Sequence, residues 1–347
     1  MYLTVIVALA YIIFINYFLI ITKKFEHNIN NINHKKINSG KLLQTGGFYF
    51  LPIIIFFLFE EKNNIETNIY YLVCLLVIFF VIGFLSDIRY DFSPKLRLLF
   101  HFLLISFFIY VTNFFILKTN IPIIDGLLNN GFFKYFFTIF CIMVFINGLN
   151  FIDGININSQ GYVMQISIAI ILVLIKTGNT DVYFFELLNK FIFIIAISLI
   201  FNFFFNNILG DSGVYVLGIF LSFIVIDFTN NVDEISPLLA VLLLWYPAYE
   251  NLFSIIRKKI KKIDPMLPDT YHFHSLLYKL INKLKINKSE KFKHNLSGII
   301  MNIFLFPTIL VAINYFNNSK ILGLCTIINI FLYTILYFIL LKTAKIK

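Results

Sequence analysis

Long apolar runs separated by short polar clusters set the pattern of this chain. A helix needs about 20 apolar residues to cross a bilayer. Runs of that order centre near residues 12, 52, 77, 107, 141, 168, 197, 220, 243, 305 and 332, the second, third and sixth being short. In lipid every backbone amide and carbonyl must be satisfied within the protein, which leaves helices or closed barrels. Runs this long and unbroken predict helices. The expected fold class is all-α: a polytopic transmembrane bundle of about eleven spans, forming a single integral membrane domain over residues 1–347. The first run has no basic residue before it and no small-residue cleavage site, so it reads as a retained span.

The longest polar segment runs from Arg257 to Lys293. Within it Leu276, Leu280 and Leu284 recur at helical spacing among Lys279, Lys283, Lys285 and Lys288. That spacing predicts an amphipathic helix over 275–293 lying at the membrane surface. A solvated basic loop is the alternative.

Composition and charge then narrow the class. The chain is 59% hydrophobic and 13% charged, against about 25% charged in a soluble domain. A water-facing surface is excluded. Of the 28 Lys and Arg, 22 lie in one set of alternating polar segments: 23–41, 89–97, 257–293 and the tail after Leu341. Positive loops stay in the cytoplasm, which predicts an outside amino terminus, a cytoplasmic carboxyl terminus and a cytoplasmic loop at about 257–293. The net charge of +10 then serves topology and anionic membrane lipid, and no nucleic-acid partner is expected. Cys74, Cys141 and Cys325 lie inside apolar runs without metal-ligand spacing.

Five polar clusters fall in the five internal cytoplasmic loops, one per loop. Ionisable groups near membrane depth are costly and usually functional, so this coincidence points to one cytoplasmic site. Lys35 and Lys36, ahead of Gly46 and Gly47, could neutralise phosphates or simply anchor topology. Asp87 and Asp91 flank the end of an apolar run, with Lys95 and Arg97 following; a carboxylate there can hold a metal or act as a base. Asn147, Asn150, Asp153 and Asn156 crowd the end of another run. Gly154 lets backbone approach a ligand closely, and an Asx-type turn is the competing reading. Asp211, bracketed by Gly210 and Gly213 before a span, suits magnesium with helix amides nearby for phosphate oxygens. Alternatively it or Ser212 caps that helix. His272 and His274 have no third soft ligand and fit hydrogen bonding or proton transfer at phosphate. Carboxylates, histidines and basic groups on one membrane face suit phosphoryl chemistry between a soluble and a lipidic substrate.

In these motifs, taken in order and spacing, the chain resembles the polyprenyl-phosphate N-acetylhexosamine-1-phosphate transferases. These include the enzymes that begin O-antigen and enterobacterial common antigen; phospho-MurNAc-pentapeptide translocases are more distant relatives. The resemblance runs through Lys35-Lys36 to Gly46-Gly47, Gly83 to Arg97, Asn147 to Gly154 and Gly210 to Gly213. It continues through Trp245-Tyr246-Pro247 to Glu250-Asn251 and Pro268 to His274. It implies transfer of a sugar-1-phosphate from a UDP-sugar to undecaprenyl phosphate, with release of UMP, as the first membrane step of a cell-surface glycan such as lipopolysaccharide O-antigen. It implies magnesium, with manganese as a substitute, and a multi-pass protein of the bacterial inner membrane with its site on the cytoplasmic face. A homodimer is compatible with it. By motif, Asp211 matches the magnesium-binding aspartate, and Asp87 and Asp153 match the catalytic acidic pair. His272 and His274 match the histidine motif of the last cytoplasmic loop, and Asn147 and Asn150 the asparagines ahead of the third-loop aspartate. Lys35, Lys36, Lys95 and Arg97 are the expected contacts of the lipid phosphate.

The chain departs from the family pattern at Ser86, where the first of two adjacent aspartates usually stands, and at Asn156, where another aspartate is frequent. Ser275 stands where a further histidine is common, and the three consecutive histidines of the translocase branch are absent. A transporter or flippase is the rival reading, disfavoured by carboxylates gathered at one face and by the lack of an internal repeat. A catalytically inactive scaffold is the third, favoured only by Ser86 and Asn156.

Overall fold

The computed structural model describes residues 2–22, 26–28, 41–44, 46–60, 68–88, 92–205, 207–267, 269–284 and 289–343. The helices in chain order are α1 (Tyr2–Thr22), α2 (Gly46–Glu60), α3 (Asn68–Ile88), α4 (Pro94–Thr112), α5 (Pro122–Leu128), α6 (Gly131–Ile152) and α7 (Asn158–Thr177). They continue as α8 (Tyr183–Phe205), α9 (Gly210–Asn231), α10 (Leu238–Ile260), α11 (Phe273–Lys283), α12 (Glu290–Asn314) and α13 (Ser319–Thr343). Each of the eleven apolar runs falls on one of these helices, and α5 and α11 are additions. Among the described residues, nine helices have the length and hydropathy to cross a membrane; Thr4–Phe18 within α1 and all of α2 are apolar but shorter.

The bundle is built around α9. In its apolar window 94% of residues are buried inside the protein, against 22% for α4 and α13. A helix that is apolar on every side belongs in the middle, and Val214 through Ile226 are buried without a break. Two hydroxyls further along it are satisfied within the helix, Ser222 donating to the Gly218 carbonyl and Thr229 to that of Val225, since a polar side chain in lipid needs a partner in the protein. By contrast α4 and α13 turn Leu103, Phe107, Tyr110, Phe331 and Phe338 outward.

Two local features set the geometry of the site. A small residue lets two helix backbones approach: a Cβ at Gly83 of α3 would lie 2.4 Å from the Ser212 Cα, so α3 meets the start of α9 directly. Within α10, Pro247 has no N–H for the Leu243 carbonyl. The Tyr162 hydroxyl of α7 donates to that carbonyl instead, tying the two helices together.

Three short strands were not anticipated. β1 (Glu26–Asn28) pairs antiparallel with β2 (Lys41–Gln44), and β2 pairs parallel with β3 (Asn207–Ile208), at the entries to α2 and α9. The amphipathic helix expected over 275–293 is present in its first part and corrected in its extent, with residues 285–288 outside the described ones. α11 runs over Phe273–Lys283 and buries Phe273, Leu276, Tyr278 and Ile281 beside α12 and α13. A new helix starts at Glu290, where the Ser289 hydroxyl accepts the Phe292 N–H as an N-cap.

Candidate active site

The first wall of the site is made where α3 meets α9. The first amides of a helix have no partner within it and carry its positive pole. Leu209, at the N-cap position of α9, offers no side-chain cap. Asp87 of α3 supplies one instead: its carboxylate accepts from the Asp211 N–H (2.8 Å), the Ser212 N–H (3.0 Å) and the Ser212 hydroxyl (2.8 Å). Gly210 precedes them at φ +71°, and a Cβ there would lie 2.7 Å from Asp87 Oδ2. Asp87 is only 6% exposed and lies behind the cavity described below, outside its lining.

With its amide held in this way, Asp211 directs its carboxylate to Arg97. The Arg97 Nη1 donates to Asp211 Oδ2 at 2.6 Å and to the Ser86 hydroxyl at 2.7 Å, and Ser86 donates to Asp211 Oδ2 at 2.6 Å. Arg97 also reaches the Tyr215 hydroxyl (3.3 Å), which accepts from Asn150 Nδ2 (3.1 Å). The chain α3–α4–α9–α6 is thereby joined by hydrogen bonds at one level.

The second wall comes from α10 and the segment before α11. Glu250, 1% exposed in α10, accepts from the His272 ring at Nδ1 (2.9 Å) and from the Tyr333 hydroxyl. An ionised Glu250 sets the His272 tautomer with the proton on Nδ1 and orients the ring. His272 Nε2 lies 3.6 Å from Asp269 Oδ1. Asp269 is gripped by Arg257 (3.0 Å), Lys258 (3.4 Å) and the Tyr271 N–H (3.0 Å). Burial works to raise its carboxyl, but His272 and Arg257 outweigh it and hold Asp269 below the usual carboxylate range. His274, 1% exposed, is pushed down to about 3, by burial first and by His272 second. It is a neutral imidazole near pH 7. Its Nε2 sits so close to Gly154 that a Cβ there would come within 2.3 Å. This explains the glycine after Asp153.

Between these walls lies a cavity of about 510 Å³. Arg97, Asn147, Asn150, Asp153, Asp211, His272 and His274 line it, drawn from four of the five polar clusters of the sequence. Leu98, Phe140, Met143, Val144 and Ile255 give it an apolar side, and Lys258, Lys259, Asp269 and Ser275 extend the polar side. Asn147 is turned back onto the Met143 carbonyl (2.8 Å). Lys95 is exposed and does not line the cavity. Lys35 and Lys36 lie outside the described residues. Asn156 is buried and donates to Asn295 of α12 (2.9 Å), away from the cavity lining.

Glu250 is the residue that reading the clusters missed. It stands inside an apolar helix, and a carboxylate at such a position is itself a functional signal. Tyr215 and Lys258 gave no comparable sign. For a divalent cation the donor set fits a hard metal. Among the described residues no group of three His, Cys, Asp or Glu could enclose one. Magnesium, however, is commonly held by one or two carboxylates completed by substrate phosphates and water. Asp211 and Asp153 are the two carboxylates that, with Asp269, face the cavity.

Comparison with known proteins follows this geometry. Residues 69–229 match the sequence profile of glycosyl transferase family 4, a stretch that contains Asp87, Asp153 and Asp211. The chain is 25% identical over 277 residues to the undecaprenyl-phosphate alpha-N-acetylglucosaminyl 1-phosphate transferase of Salmonella typhi, covering 76% of this chain and 74% of that protein. The enzyme of the same name from Escherichia coli (strain K12) is 25% identical over 272 residues, with 76% and 74% covered. That of Yersinia pestis is 25% identical over 267 residues, with 75% and 73% covered. These matches bear out the resemblance read from the motifs.

Proposed function

We propose that this chain transfers an N-acetylhexosamine-1-phosphate from a UDP-sugar to undecaprenyl phosphate at the cytoplasmic face of a bacterial membrane, releasing UMP. One observation carries the proposal: a single cavity joins carboxylates, an arginine and two histidines to an apolar side. A soluble diphosphate and a lipid phosphate with a greasy tail need that combination. The names of the relatives support undecaprenyl phosphate as acceptor and N-acetylglucosamine as the first sugar to test.

In the proposed reaction an oxygen of the lipid phosphate attacks the β-phosphorus of the UDP-sugar. The new P–O bond joins lipid and sugar phosphate, and the bond from the β-phosphorus to the bridging oxygen breaks, its electrons leaving with UMP. Little covalent work falls to the protein, so positioning and charge neutralisation dominate. Arg97 neutralises phosphate oxygens from the α4 side. Asp153 orients the lipid phosphate and takes its proton where one is present. His272, fixed by Glu250, donates a hydrogen bond to the departing phosphate when protonated. Leu98, Phe140 and Met143 take the first isoprene units. Asp211, with Asp153, would hold a magnesium ion, which when bound supplies charge neutralisation across the diphosphate.

The serine at position 86 is compatible with catalysis in this scheme. Its hydroxyl bonds both Asp211 and Arg97, so the position still serves the site, which weighs against an inactive scaffold. The test is UMP release by purified protein given undecaprenyl phosphate, magnesium and a panel of UDP-N-acetyl sugars. Release that requires both the lipid and the metal supports the proposal. Folded protein that releases no UMP with any donor, beside an active relative, overturns it.

A further inference from the structure

The connection between α6 and α7 carries a backbone conformation that its sequence does not favour. Ile157 has φ +70°, a left-handed value that is an outlier for a β-branched residue because its Cβ crowds the backbone. Such a conformation persists only where its surroundings over-determine it. Two helices do so here. From α8, Asn202 Oδ1 accepts the Ile157 N–H at 2.8 Å. From α12, Asn302 Nδ2 reaches the Ile157 carbonyl at 3.4 Å, and Asn302 is itself held by Gln165 of α7 (3.0 Å). Gly298 of α12 admits the Asn156 carbonyl, which a Cβ there would meet at 2.0 Å.

The consequence of the reversed residue is where the chain goes next. α7 begins at once, with Gly161 N–H bonding the Ile157 carbonyl at 2.7 Å. Its first turn folds back onto the end of α6. Asn158 Nδ2 caps the Ile152 carbonyl at 2.7 Å, and the Ser159 hydroxyl donates to Asp153 Oδ1 at 2.5 Å. Asp153 lines the cavity, while Asn202 does not touch it.

We propose that Asn202 is a positioning residue. By holding Ile157 at positive φ it places Ser159 against Asp153 and so aims that carboxylate into the cavity. This rests on the reading of the cavity as the transfer site. Asn202 and Ile157 act as a unit: the asparagine is needed because the left-handed position carries an isoleucine. A glycine at 157 would adopt the conformation unaided.

The experiment is a double-mutant cycle on the full-length protein, reading kcat and KM for UMP release together with thermal unfolding. Asn202→Ala is expected to lower kcat about tenfold or more, since small misplacements of a reacting group are costly, with KM for the nucleotide sugar little changed. Asn202→Asp, which keeps an acceptor oxygen, is expected to retain most of kcat. Ile157→Gly added to Asn202→Ala is expected to restore kcat, a recovery that a generally damaged fold would not show. If Asn202→Ala does not fold, the double variant decides alone: near-wild-type kcat supports the proposal, and a folded but inactive double variant overturns it. Wild-type kcat in Asn202→Ala also overturns it. Asp153→Asn, run in parallel, separates the two levels. If it keeps full activity the site reading is wrong; if it is inactive while Asn202→Ala is normal, only the positioning role is wrong.

Discussion

The two walls of the cavity solve the same problem in different ways. On the α3–α9 wall, a carboxylate that lies out of the cavity organises one that lines it: Asp87 binds the first amides of α9 and leaves Asp211 on the first turn, facing Arg97. On the α10–α11 wall, a buried carboxylate organises an imidazole, Glu250 fixing His272 through its Nδ1. In both, one acidic group is withdrawn from solvent to orient a second group that lines the cavity. A carboxylate near the site is therefore not a catalytic group by proximity alone. What separates the two roles is whether its oxygens meet backbone and protein donors or the cavity.

This distinction predicts a ranking. Asp211→Asn removes a group that lines the cavity and, in the proposed reaction, faces the diphosphate. It is expected to lower UMP release by about 10²–10³-fold, the scale of losing one preorganised electrostatic contact, a loss larger than any change in thermal unfolding from its pair with Arg97. Glu250→Gln leaves His272 in place but loosens its tautomer and orientation. A fall in kcat of about a hundredfold at neutral pH is expected, within the usual range for acid–base assistance. A variant with unchanged kcat would remove His272 from the proposed chemistry. Asp87→Asn reverses the pattern, because its carboxylate serves helix amides. A loss of about 1–3 kcal/mol is expected for charge-assisted bonds that become neutral or unmade. It should appear first in the unfolding midpoint, with activity following to the extent that Asp211 shifts.

A smaller effect is the dependence of stability on acid. His274 is held at about 3 when folded against an ordinary value of 6.5. Between those values the unfolded chain binds a proton that the folded one does not. Stability therefore falls as pH drops from about 6.5 towards 3 and is fully retained above 6.5. His274→Gln should flatten that part of the unfolding midpoint against pH; an unaltered slope would assign it to other groups. The smallest effect belongs to Lys95, which is exposed and off the cavity. Lys95→Ala should leave kcat and KM within about twofold, as most surface changes do.

The positions of the spans were readable because apolar runs of membrane length leave few alternatives, and all eleven fall on helices. The site was readable as clusters, since Asp153, Asp211, Arg97, Asn147, Asn150, His272 and His274 each stand out against apolar surroundings and the fold brings them to one cavity. What a single sequence could not separate was role within a cluster. Asp87 and Asp211 look alike in the chain; only the approach of α3 to α9 at Gly83 assigns one to backbone amides. Lys95 and Arg97 are two residues apart on α4, yet helical geometry puts only Arg97 towards the cavity. Glu250 stands out in its apolar helix, but its role was hidden because its partner lies 22 residues later in the chain, beyond any local pattern. The break of the amphipathic segment at Lys283 and the left-handed Ile157 depend on tertiary packing that no spacing encodes.

The central claim is that the β-phosphate of the donor crosses to the lipid. It is tested most directly with UDP-N-acetylglucosamine labelled at the β-phosphorus, incubated with the purified protein, undecaprenyl phosphate and magnesium, followed by separation of lipid and aqueous phases. The account predicts label in the lipid phase, UMP formed in equal amount, and loss of both in Asp211→Asn. Sugar transfer that leaves the label in aqueous UDP would contradict it.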